Sequence, residues 1–103
     1  MDPAGLPALE DAILYMHACD SHWVESVPVH EKHEGKTVWE GEVQVFDLIG
    51  HPRAGRAYAW SYATEGAKLR FVAVLGLPPV VDARTALQAA IVAHYKQYKK
   101  TQS

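Results

Sequence analysis

Cysteine is nearly missing from this sequence: Cys19 stands alone among 103 residues. A single thiol forms no intrachain disulfide and cannot build a four-cysteine zinc site. Cys19 falls at the end of an apolar helical stretch with nothing beside it to activate a thiolate. It therefore reads as a small buried hydrophobe rather than a nucleophile. Long hydrophobic runs are missing too. No stretch approaches the roughly 18 to 20 apolar residues of a membrane-crossing helix. The opening Met1-Asp2-Pro3-Ala4-Gly5 has no basic segment leading into an apolar core. The expectation is a chain without a secretory leader, in a reducing cytoplasm.

Basic excess is also absent. Ten Lys and Arg stand against twelve Asp and Glu, a net charge of -2. Domains that grip nucleic acid usually carry a clear positive surplus, so a polyanion is not the expected partner. There is no Gly-rich phosphate loop either: Gly50 and Gly55 flank His51-Pro52-Arg53-Ala54 without a Walker pattern. The chain shows no internal repeat and no low-complexity segment.

What is present suits one folded domain. Hydrophobic residues make up 49% of the chain, enough for a single core at this length. Leu6, Leu9, Ile13 and Met16 recur at spacings of three and four, which predicts an amphipathic helix over 7–19. Pro7 suits its first turn. Alternation then predicts a strand over 22–33, with Trp23, Val27 and Val29 on one side. Pro28 cannot donate to a ladder, which places this strand at a sheet edge or bulge. A turn at Glu34-Gly35-Lys36 leads to a strand over 37–48. Trp39, Val43 and Val45 share one face there; Glu40, Glu42 and Gln44 share a solvent face. The alternation fails at Val45-Phe46 and Leu48-Ile49, so this strand bulges or is buried on both sides.

After the loop at 50–55, strands over 56–64 and 68–77 meet across Glu65-Gly66. That turn pairs Tyr62 with Leu69, Trp60 with Phe71 and Tyr58 with Ala73. Opposed residues share a face. The aromatics, Leu69, Phe71 and Leu75 then form one apolar face. Ala57, Ala59, Val72 and Val74, with Lys68 and Arg70, form the other. Pro78-Pro79 ends the last strand, Asp82 is an N-cap, and a helix follows over 83–99. Its apolar stripe runs through Leu87, Ala90, Ile91, His94, Tyr95 and Tyr98. The predicted fold class is α+β, a four-stranded antiparallel sheet with two flanking helices in the order α-β-β-β-β-α. Trp39, Trp60, Phe71, Ile13, Leu87 and Ile91 are its expected core.

Candidate chemistry is sparse. His30-Glu31-Lys32-His33-Glu34 has the composition of a zinc-binding helix, but its histidines are three apart and sit on a strand. Such residues project to opposite faces, so no shared metal is expected. His94, on the helix stripe, reads as a packed histidine. His51 with Arg53 and Arg56 is a candidate anion-binding loop. Tyr58, Trp60 and Tyr62 read as core rather than as a base-stacking platform, because their expected cross-strand neighbours are apolar.

Phe71-Val72-Ala73-Val74-Leu75-Gly76 running into Asp82–Tyr98 resembles the C-terminal half of a double-stranded RNA-binding domain. The resemblance covers about a third of the chain. Where that family carries a lysine cluster at the start of its second helix, this chain has Asp82-Ala83-Arg84-Thr85-Ala86. It therefore implies a topology and not a function.

No catalytic residue, metal ligand or cofactor is assigned. The expected function is a non-catalytic interaction module acting through a protein partner or its own copy. Ala57, Ala59, Val72, Val74, Lys68 and Arg70 form its candidate surface. Two arrangements cover this second sheet face: the N-terminal helix packs on it within the chain, or both helices lie on the aromatic face and the open apolar surface is covered by a homodimer. The alternatives are a nucleic-acid binder using Lys68, Arg70, Arg53 and Arg56, and a small ligand- or metal-binding enzyme built on His30, His33 or His51.

Overall fold

The computed structural model describes residues 5–63, 66 and 69–102, with the backbone alone for 33, 37, 38, 63, 69 and 93–102. Helix α1 (Gly5–His17) is followed by β1 (Asp20–His33), β2 (Lys36–Ile49), β3 (Arg56–Ala63), β4 (Leu69–Leu75) and helix α2 (Ala83–Gln102). The strands form one antiparallel sheet in the order β1-β2-β3-β4. This is the expected α+β class and element order. Among the described residues no helix is long and apolar enough to cross a membrane.

The turn between β1 and β2 has two residues, Glu34 and Gly35, between the paired His33 and Lys36. Both have positive φ, 52° and 79°, the conformation whose twist matches a tight antiparallel hairpin. β1 is an edge strand, as Pro28 requires. A register shift between Trp23 and Glu25 makes Val24 an extra residue. That bulge moves Trp23 off the face it was expected to share with Val27 and Val29. Trp23 pairs instead with Phe46, and its Nε1 donates to Gln44 Oε1 at 2.9 Å.

The β3–β4 register differs from expectation by one residue. Leu69 pairs with Ala63 rather than with Tyr62. Trp60 therefore faces Val72, Tyr58 faces Val74 and Ala59 faces Ala73. A slip of one exchanges the two faces of a strand. Val72 and Val74 join the aromatics, and Phe71 and Ala73 join the alanines. The expected surface of Ala57, Ala59, Val72 and Val74 does not form on one face.

Both faces are covered within the chain, which makes three layers. On one side Leu9 and Ile13 of α1 pack with Cys19, Phe46, Ala57 and Ala59. On the other, Ala83, Ala86 and Leu87 of α2 pack with Val29, Val43, Val45, Tyr58 and Trp60. The helices lie on opposite faces, so the open sheet face that motivated a homodimer is occupied by α1. Ala57 and Ala59 are fully buried beneath it. Their small side chains keep this side of β3 low under the helix. Cys19 is buried as expected.

Over 43–46, β2 is buried on both faces. Val45 points to the α2 cluster and its neighbour Phe46 to the α1 cluster, which is why alternation fails there. Trp60, Ile13 and Leu87 are buried, whereas Trp39, Phe71 and Ile91 are partly buried. Trp39 meets Trp60 edge to face, with ring centroids 6.1 Å apart, a geometry aromatic pairs favour. Gly41 makes room for it: a Cβ there would stand 3.0 Å from the Trp39 ring. Met16, expected on the apolar stripe of α1, is 46% exposed instead.

Candidate functional site

The loop at 50–55 was expected to gather His51, Arg53 and Arg56 around an anion. The structure gives two of them other work. His51 Nδ1 accepts the backbone N–H groups of Arg53 and Ala54, at 3.1 and 2.9 Å. Arg56 Nε donates to Asp47 Oδ1 at 3.2 Å, an exposed ion pair of small energetic value. Arg53 is exposed. His51 instead acts as a side-chain brace for the β2–β3 connection, which also closes through Leu48 N–H to Gly55 O at 2.9 Å. His51→Ala should cost about 1–2 kcal/mol, since it strands an amide at buried Ala54. Faster hydrogen exchange at the amides of 53 and 54 checks it; unchanged exchange there counts against this brace.

The histidine-rich hairpin assembles no metal centre from described side chains. His30 pairs with Glu40 and His33 with Lys36 across the ladder, and His30 is exposed. The side chains of His33 and His94, like those of Tyr95 and Tyr98, lie outside the described residues, as does Lys68. Among the described residues no three His, Cys, Asp or Glu side chains come together as a metal-binding group. Tyr58 and Trp60 are buried, as expected for core, while Tyr62 is 39% exposed. Arg70, opposite Tyr62 in the ladder, is exposed.

Glu31 is the residue that sequence reading passed over. It lies on the same side of β1 as Val27 and Val29, and only 8% of it is exposed. Arg84 Nε donates to its Oε1 at 2.8 Å. Gln88 Nε2 lies 3.5 Å from both of its oxygens, a weaker contact. A carboxylate at this depth needs such donors, because burial without them is expensive. The signal in the sequence was a charge two residues beyond Val29 on an apolar strand face. Gln44 was also misplaced: it is buried on the α1 side, accepting from Trp23 and from Ser26 Oγ. Glu40 and Glu42 are exposed, as expected.

The first turn of α2 is built by reciprocal capping. Asp82 Oδ1 accepts from Thr85 N–H at 2.9 Å and from Thr85 Oγ1 at 2.8 Å. Thr85 Oγ1 in turn accepts the N–H groups of Val81 and Asp82. This places a threonine where a capping box usually carries Glu or Gln. The hydrogen bonds hold the Asp82 carboxyl below its ordinary range, the backbone bond from Thr85 leading. The stability it contributes is present above an ordinary Asp pKa of about 4 and is lost as pH falls through the lower folded value. Asn also caps helices but does not titrate. Asp82→Asn should therefore flatten the acid limb of melting temperature against pH below about pH 4. An identical acid limb would refute this. Tyr58 OH donates to Val81 O at 3.2 Å beside the cap. Burial is the main cause that pushes its phenol up, with Arg56 opposing.

Between residues 27–30 of β1 and the cap of α2 lies an open cleft of about 340 Å³. Val27, Pro28, Val29 and Ala83 give it an apolar lining, with His30, Asp82 and Arg84 around them. Elsewhere the last turn of α1 turns large apolar side chains outward. Leu14 is 50% exposed and Tyr15 is 90% exposed. The helix ends at once beyond them, where Ala18 adopts a left-handed φ of 55° and its N–H reaches Leu14 O at 2.9 Å.

The fold and these two features define a three-layer α+β domain with an apolar helix end and a shallow cleft. Comparison with protein-family models, with curated proteins and with solved structures finds no match for the chain.

Proposed function

We propose that this chain is a non-catalytic interaction module. It acts by docking a protein, either a partner or a second copy of itself, on the outward side of α1. The supporting observation is the exposure of Tyr15 on the side of α1 turned away from buried Ile13, with half-exposed Leu14 and Met16 on its two flanks. Tyr and Met are enriched in protein interfaces, where an apolar body and an adaptable or polar tip both find use. The sheet residues first considered for this role are replaced, because Ala57 and Ala59 lie under α1. A reducing cytoplasmic setting suits the single buried Cys19.

The test pairs two measurements on the full chain. Sedimentation velocity from low to high micromolar concentration detects self-association. A photoreactive residue at position 15, in cells producing the protein, detects a partner as a discrete crosslinked species. A Leu14→Lys/Tyr15→Lys double variant should abolish whichever signal appears. Its stability should stay within about 1–2 kcal/mol of the parent, since Tyr15 faces water and Leu14 is half-exposed. A chain that stays monomeric at every concentration and forms no discrete crosslink would overturn the proposal.

A further inference from the structure

We draw no further inference here: the strongest candidate, the cleft between edge strand β1 and the first turn of α2, is an open groove at a helix N-terminus whose Arg84 is already held by Glu31, and nothing in the structure shows what occupies it.

Discussion

Cutting Phe46 back to alanine should destabilise the domain by about 3–5 kcal/mol. Phe46 is fully buried and packs in the cluster of Leu9, Ile13, Ala57 and Ala59. Two of those neighbours are alanines, whose short side chains cannot swing into the vacated space. The other two are fixed on α1, which rests on the same surface. A cavity should therefore persist, and the loss includes that void as well as the transfer of the ring. A domain of this size has about 5–15 kcal/mol in total. The variant should thus melt at least about 10 °C lower. Met16→Ala is the internal control. Sequence periodicity ranks Met16 with the same stripe, but its exposure predicts a change of no more than about 1 kcal/mol. Urea unfolding of both variants decides the matter. Equal losses would mean that α1 packs in a different rotation from the one described.

The second large effect is an asymmetry between partners. Arg84→Met should cost about 2–4 kcal/mol, whereas Glu31→Gln should cost about 1 kcal/mol or less. The Glu31 side chain is 10% exposed and that of Arg84 is 69% exposed. Removing Arg84 leaves a buried carboxylate with, among the described residues, the long contacts from Gln88. A buried carboxylate without its cation is unfavourable. Removing the charge on Glu31 instead releases Arg84 into water, where a guanidinium is well solvated. The amide left behind can still accept a hydrogen bond. Denaturant unfolding of the two single variants and of the double variant measures the coupling. Equal single losses, or additive ones, would show that the pair behaves like an ordinary surface bridge.

These two results probe different degrees of legibility. The burial of Phe46 was visible as broken alternation at Val45-Phe46: a strand apolar on both sides needs cover on both sides. Glu31 was harder. One charge in a run of charged residues looks like a solvated hairpin tip until a helix is known to pass over it. Arg84 and Glu31 are 53 residues apart, and no local pattern links them. The bracing role of the loop histidine was hidden for a related reason. His51 beside two arginines suggests a ligand, but ring geometry let it serve its own backbone first.

Helix and strand periods, Pro28 at an edge, the caps and breakers at Asp82 and Pro78-Pro79, and the order α-β-β-β-β-α were written in the sequence. Each rests on local sterics and hydrogen bonding, which act over a few residues. Three things waited on tertiary structure. One was the β3–β4 register, because a turn longer by one residue exchanges every side chain between faces. Another was the pairing of Glu31 with Arg84, which depends on where α2 crosses β1. The third was the placement of α1 against Ala57 and Ala59 rather than beside α2. Amphipathicity says that a helix must cover an apolar face. Which face it covers is decided by which surface is left open once the other helix has packed.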